Sequence, residues 1–179
     1  MRAPVFLSGL AAAVALLAAP IAHAHDPSLD RIPSQTREEL IAAGKRVHGG
    51  FGTLIALGIR IGTEAGERLG AGPREVDVTY FDSPQAPCAC IVDGIMVATS
   101  ASPGQRTLRI VPEPAGEGLL ARVVIRHKRT GGAVEVTIPL EIMSGMREVN
   151  GSEEGVRWAY VMHADRGEHF TLTDISPKP

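Results

Sequence analysis

Two closely spaced cysteines and a nearby aspartate are the first candidates for chemistry in this 179-residue chain. Cys88 and Cys90 flank a single residue, Ala89, in the stretch PCACIVDG, and Asp93 follows in the same stretch. A bond between the two sulfurs closes a very tight ring that extended backbone resists, so an ordinary structural disulfide is not expected. Three alternatives remain: a reduced buried pair, a strained redox-labile bond, or thiolate ligands for a soft metal.

A histidine next to glycines is the second candidate. His48 opens the stretch HGGFG, which follows a predicted helix. Histidines at helix ends commonly cap carbonyl groups. The glycines also clear space for a ligand to reach the ring, and a neutral imidazole nitrogen aimed into that space can bind metal.

Two helices are predicted on either side of this histidine. Thr36 and Glu39 have the spacing of a capping box, which predicts a helix over residues 37–47. After the glycine break, helical spacing resumes and ends at Gly70. Glycines recur every fourth residue in this second helix, at positions 58, 62 and 66, and favour close packing against another backbone over a ligand site.

The rest of the chain has strand periodicity with two more short helices. A helix is predicted to start near Cys90, and Thr130-Gly131-Gly132 is typical of a hairpin turn. Strands are predicted over 74–81, 107–111, 119–129 and 133–142, and a last strand over 169–175. Before the last strand a helix is predicted, capped by Ser152 and with Val156, Ala159 and Tyr160 on its inner face. The predicted class is α+β: a single domain with N-terminal helices packed on a mainly antiparallel or mixed sheet.

The N-terminal segment is typical of an export signal. Arg2 precedes an apolar run that is too short to span a bilayer, and the run leads to Ala22-His23-Ala24. We expect residues 1–24 to be a signal peptide cut after Ala24, residues 25–35 an extended arm, and residues 36–179 the α+β domain. The protein is then periplasmic or secreted, with no membrane association after cleavage.

The net charge of the chain limits the classes of partner that it can bind. The segment before the cut contains one charged residue, Arg2, so cleavage changes the formal net charge from −2 to −3. A mildly acidic chain lacks the positive surface charge that would attract a nucleic acid, so no nucleic-acid partner is expected. Nucleophile-elbow, zinc-protease, phosphate-loop and dinucleotide motifs are absent from the sequence.

Two stretches resemble a known family. VHGGFGTLIALGIRIGTEAGERLG and CIVDGIMVATSASPGQRTLRI are similar to the two motifs of the family named after the E subunit of formylmethanofuran dehydrogenase, over roughly residues 36–111. Family positions are kept at His48, Gly49, Gly58 and Arg60 in the first motif, and at Cys90, Asp93, Gly94 and Gly104 in the second. Gly50 and Gly52 replace a histidine and a cysteine, and Ser100-Ala101-Ser102 stands where Gly-Cys-Thr is expected.

The resemblance implies a zinc-binding α+β domain, commonly a homodimer. Many members also have a four-cysteine zinc ribbon, which a chain with two cysteines cannot form. A link to one-carbon metabolism is suggested, but the dehydrogenase chemistry belongs to other subunits, so dehydrogenase activity is not expected of this chain.

The candidate site combines these observations. His48, Cys88 and Cys90 are the predicted ligands of zinc or another thiophilic metal. Arg60 and Asp93 are predicted to bind a small ligand, together with Ser100 and Ser102. For Arg60 the spacing to Glu64 also fits an ordinary ion pair on a helix surface.

The remaining histidines and the sole tryptophan have plainer interpretations. His163 and His169 are expected at the surface or at a helix end, and Trp158 in the core or an interface. His25 becomes the amino terminus if cleavage follows Ala24, and a free amine beside an imidazole can chelate copper.

Three functions fit the sequence. The first is an exported binding protein for a metal ion or a small metal-containing or anionic ligand, held in a pocket of histidine, cysteine and aspartate. The second is an enzyme that uses Cys90 as an activated thiolate and His48 as its base. The third is a structural or partner-binding domain whose metal site has decayed.

Overall fold

The computed structural model describes residues 35–175, so the predicted signal peptide, nearly all of the predicted arm, and His25 lie outside the described residues. The elements in chain order are α1 (Arg37–His48), α2 (Thr53–Leu69), β1 (Val76–Asp82), α3 (Cys90–Thr99), β2 (Leu108–Val111), β3 (Leu119–His127), β4 (Ala133–Pro139), a 3₁₀ turn (Leu140–Ile142), α4 (Met143–Asn150), α5 (Glu154–Met162) and β5 (Thr171–Ile175). Within that range no helix combines the length and the apolar character that crossing a bilayer requires.

The strands form one mixed sheet in the order β2-β1-β3-β4-β5. β1 and β2 run parallel, with α3 in the connection between them, and the other neighbours are antiparallel. The hairpin between β3 and β4 turns at Gly131, whose φ of 74° is readily adopted by glycine. The predicted α+β class and the hairpin are therefore confirmed.

Local signals fix the ends of the first two helices. Thr36 caps α1 in a full capping box, because its hydroxyl accepts the Glu39 N–H while the Glu39 carboxylate accepts the Thr36 N–H. Left-handed Gly49 and Gly70 end α1 and α2. His48 is consequently the last residue of α1, which sets the position of its ring.

The core lies between the helices and one face of the sheet. Buried side chains alternate along β1 at Val76, Val78 and Tyr80, as expected for a strand with one face covered. α2 is buried over most of its length and packs on α3, α4, α5 and the sheet. It is therefore the central helix of the domain.

A glycine contact brings α2 and α3 together. A methyl group on Gly58 would overlap the carbonyl oxygen of Ile91, and one on Gly94 would overlap the carbonyl oxygen of Ile55. The two backbones thus touch where neither helix has a side chain. The glycine stripe of α2 is a packing surface, as predicted.

The sequence misplaced the inner face of α5. Glu153, not Ser152, is the N-cap residue, and no side chain caps the helix. Val156 is 51% exposed, whereas Trp158 and Val161 are buried. The reason is that α5 docks on α2 with Trp158 stacked against Phe51, with the ring centroids 6.3 Å apart.

Replacing Gly58 with alanine tests the contact between α2 and α3. The added methyl cannot fit without separating two backbones, so Gly58→Ala is expected to lower the free energy of unfolding by about 2–3 kcal/mol. Urea titration measures the change. Gly151→Ala is the matched control, because Gly151 has helical dihedral angles and open space around it; an equal loss in both variants would contradict the packing account.

Candidate functional site: a cavity between His48 and the Cys88–Cys90 disulfide

His48 is held by Asp93. The imidazole Nδ1 lies 2.8 Å from Asp93 Oδ2, and both side chains are about one-third exposed, at 33% and 30%. An ionised carboxylate only accepts hydrogen bonds, so Nδ1 donates in this contact, and in a neutral imidazole Nε2 then keeps its lone pair. Two residues 45 positions apart in sequence thereby form one unit.

The glycine contact explains why Asp93 reaches the histidine. Asp93 stands in the first turn of α3, one residue before Gly94, whose Cα fits against α2. α1 also packs on α3, so the end of α1 lies over the first turn of α3. The Asp93 carboxylate is therefore presented to the ring that ends α1.

The two cysteines form a disulfide, so a bond between the sulfurs is the one observed among the three alternatives, despite the expectation that the short spacing opposes it. That expectation assumed extended backbone. Ala89 instead has φ −77° and ψ 30°, a bend that leads into α3 and places the two Cα atoms 5.2 Å apart. This separation is ordinary for a disulfide. Cys88 is exposed and Cys90 is buried at the first position of α3.

One cavity of about 330 Å³ brings the histidine and the disulfide together. Its floor and walls come from α2, the loop before α3, and α4. The lining residues are His48, Gly52, Thr53, Leu54, Ile55, Pro87, Cys88, Cys90, Met143, Met146, Arg147 and Asn150. The predicted meeting of the imidazole with the sulfur-bearing loop is thus seen in the structure.

Sequence reasoning missed the wall that α4 contributes. Gly52 is the N-cap of α2 and has no side chain to accept the first N–H groups. Asn150, at the end of α4, supplies that acceptor through its Oδ1, 3.0 Å from the Thr53 backbone nitrogen. The Thr53 hydroxyl donates to the Met146 carbonyl oxygen at 3.2 Å. A capping residue 97 positions away leaves no local signal in the sequence.

The predicted ligand-binding residue Arg60 does not line this cavity. It is 6% exposed, pairs with Glu64 at 2.7 Å and donates from an Nη to the Val161 carbonyl oxygen at 2.7 Å. Its guanidinium also lies over the Phe170 ring, 5.5 Å from the centroid. The pair with Glu64 was foreseen, but Arg60 is buried instead of lying on a solvated surface. Its bond to Val161 joins α2 to α5 in the interior.

Ser100 and Ser102 lie beyond the opposite end of α3 from Cys90. Ser100 ends the helix in the left-handed region, with φ 56°. The Ser102 hydroxyl accepts the Gln105 N–H at 3.3 Å, and its own N–H donates to the Thr107 hydroxyl at 3.0 Å. Both serines organise the turn before β2 and are not brought together with His48.

The zinc ligands that the family implies do not fit in this oxidised form. Both sulfurs are bonded to each other, and the Asp93 carboxylate is bonded to His48. Structural zinc requires about four nitrogen, sulfur or oxygen ligands. Among residues 35–175, no group of three or more His, Cys, Asp or Glu side chains is arranged to hold a metal ion.

His169 is buried, contrary to its expected position at the surface, whereas His163 is exposed at the end of α5 as predicted. The His169 ring lies 5.1 Å from the Tyr160 ring, and neither ring nitrogen has a hydrogen-bond partner among the described residues. Burial lowers the pKa of His169, the Arg60 charge lowers it further, and Glu168 opposes both effects.

Together the fold and the cavity define an α+β domain in which a histidine and a disulfide line one cavity. The chain belongs to the FmdE family, described as "FmdE, Molybdenum formylmethanofuran dehydrogenase operon", which matches residues 47–164. The match confirms the resemblance seen in the two motifs and extends it through α5. Among curated proteins no match is found.

The buried His169 makes stability sensitive to acid. Its pKa in the folded chain is below the ordinary 6.5, so its contribution is complete above that pH and is lost as the pH falls through the folded-state pKa. The free energy of unfolding is expected to decline as the pH falls below about 6.5. His169→Phe should flatten this decline and His163→Phe should not; identical pH profiles for the two variants would contradict the assignment.

Proposed function

We propose that this chain is an exported binding protein that holds a small ligand in the cavity between His48 and the Cys88–Cys90 disulfide. The observation that carries the proposal is the cavity itself, whose lining combines polar side chains with apolar ones. Export rests on the sequence of residues 1–24. The homodimer implied by the family remains a prediction, which native mass spectrometry tests.

The lining favours an anion with an apolar body. Leu54, Ile55, Met143 and Met146 provide apolar surface, and methionine side chains adapt to irregular ligand shapes. At the rim, the exposed guanidinium of Arg147 offers a planar fork that pairs with carboxylates or sulfonates. His48, which also lines the cavity, offers a second polar contact.

Anilinonaphthalene sulfonate is a suitable probe because it joins an apolar body to one negative charge. Arg147→Glu is expected to raise its Kd by about tenfold, since one attractive charge becomes repulsive. Fluorescence titration measures binding. Arg129→Glu is the matched control, because Arg129 is also exposed but lies on the β3–β4 hairpin.

Neutral anilinonaphthalene separates charge from shape in the same experiment. Its Kd should be unchanged by Arg147→Glu, because the apolar walls are intact. Equal weakening of the anionic probe by both charge variants, or no saturable binding of either probe, would contradict the proposed cavity ligand.

A metal ion is the second candidate and requires reduction of the disulfide. Reduction frees two thiols beside His48 in one cavity, which gives the three donors of the predicted zinc set. The oxidised chain has only the imidazole, so zinc binding is proposed for the reduced chain alone.

Elemental analysis of the two redox forms tests this candidate. After anaerobic reduction and dialysis against zinc, the chain should retain about one equivalent of zinc, and Cys90→Ser should lose it. The oxidised chain should retain none. Zinc bound equally by both forms, or by neither, would rule out the proposed thiolate set.

A further inference from the structure

The Cys88–Cys90 disulfide has the features of a reaction centre rather than of a structural cross-link. A disulfide stabilises a fold by shortening the loops of the unfolded chain, and this effect is smallest for short loops. Here the bridge spans two positions of sequence. It joins residues that the chain already holds close together, so the fold gains little from it.

The two sulfurs differ in exposure. Cys88 is exposed and lies before α3, whereas Cys90 is 8% exposed. Thiol–disulfide exchange requires a thiolate to reach one sulfur while the other departs. Access therefore directs an incoming thiolate to the Cys88 sulfur and makes Cys90 the leaving group.

The surroundings of Cys90 suit a departing thiolate. Cys90 is the first residue of α3, and the N-cap residue, Ala89, has no side chain that accepts the N–H groups of the first turn. The positive end of a helix dipole stabilises negative charge on a cysteine at the helix start. The Asp93 carboxylate in the same turn is hydrogen-bonded to His48.

From this asymmetry we infer that the chain exchanges its Cys88–Cys90 disulfide with a dithiol substrate whose apolar body enters the cavity. The exposed sulfur lies on the cavity together with Leu54, Ile55, Met143 and Met146. An apolar substrate seated on these side chains would have its thiol beside Cys88. Exchange uses the same cavity as the proposed ligand but does not depend on reversible ligand binding.

The reaction balances in two steps. The first substrate thiolate attacks Cys88 Sγ; the bond to Cys90 breaks, a mixed disulfide forms with Cys88, and Cys90 leaves as a thiolate. The second substrate thiolate attacks the substrate sulfur of the mixed disulfide and releases the Cys88 thiolate. The substrate dithiol is oxidised to a disulfide, the chain is reduced to a dithiol, and the two substrate protons pass to the cysteines or to solvent. The reverse exchange with a substrate disulfide restores the starting state.

The test compares the folded, oxidised chain with a free peptide that has the same disulfide. A synthetic oxidised peptide of residues 84–96 shows how fast the Cys88–Cys90 disulfide reacts without the folded domain around it. Each is mixed with dihydrolipoamide, a small dithiol on an apolar chain, or with reduced unfolded ribonuclease, a protein dithiol. Alkylation and mass spectrometry then count the thiols formed over time.

We expect the folded chain to react at least about tenfold faster than the peptide with one of the two dithiols, because the cavity positions the substrate. A faster reaction with dihydrolipoamide identifies a small substrate, and a faster reaction with ribonuclease identifies a protein substrate. Equal rates for chain and peptide with both dithiols would overturn the inference. The comparison needs no variant, so it does not depend on mutant folding.

Single-cysteine variants test the direction of attack. In Cys90→Ser the exposed Cys88 thiol should form a mixed disulfide with oxidised lipoamide about tenfold faster than the Cys90 thiol of Cys88→Ser, since access controls exchange. Circular dichroism verifies that both variants are folded. The opposite order of rates would overturn the assignment of Cys88 as the attacked sulfur.

The exchange and the binding proposal can fail separately. If the chain does not bind anilinonaphthalene sulfonate but still exchanges its disulfide, only the proposed ligand binding is rejected.

Discussion

The contact of two helix backbones at Gly58 and Gly94 is the constraint on which the site depends. Neither glycine can carry a methyl group without overlapping a carbonyl oxygen of the facing helix. The contact fixes the first turn of α3 against α2, and the end of α1 packs over that turn. The His48–Asp93 bond and the position of Cys90 both follow from this placement.

Hydrogen bonds between residues far apart in the sequence complete the cavity. Asn150 from α4 caps α2 where Gly52 has no side chain to do so, and this bond holds the methionine wall of α4 over the cavity. The buried guanidinium of Arg60 ties α2 to α5 on another side of the same helix. α2 is therefore the support from which the cavity is built, while the loop before α3 contributes the reactive sulfur.

Local signals were sufficient to predict most of the fold. The capping box at Thr36, the left-handed glycines after α1 and α2, and the glycine turn at Gly131 all act over a few residues, so the sequence predicted those elements. The partnership of His48 with the cysteine loop was also predicted, although through the family motifs. A bond between the cysteines was one of three alternatives and could not be singled out, because the bend at Ala89 depends on how the chain enters α3. Arg60 and Asn150 were misjudged or missed because their partners lie about 100 residues away.

Asp93 fixes the ring of His48 beside the disulfide. Nitrogen-15 NMR of the histidine ring measures this most directly, because it reports which ring nitrogen carries the proton in the neutral form. We expect a proton on Nδ1 of His48 in the native chain and loss of that preference in Asp93→Ala. The same His48 spectrum in both proteins would contradict it, since the ring would then be oriented by something other than Asp93.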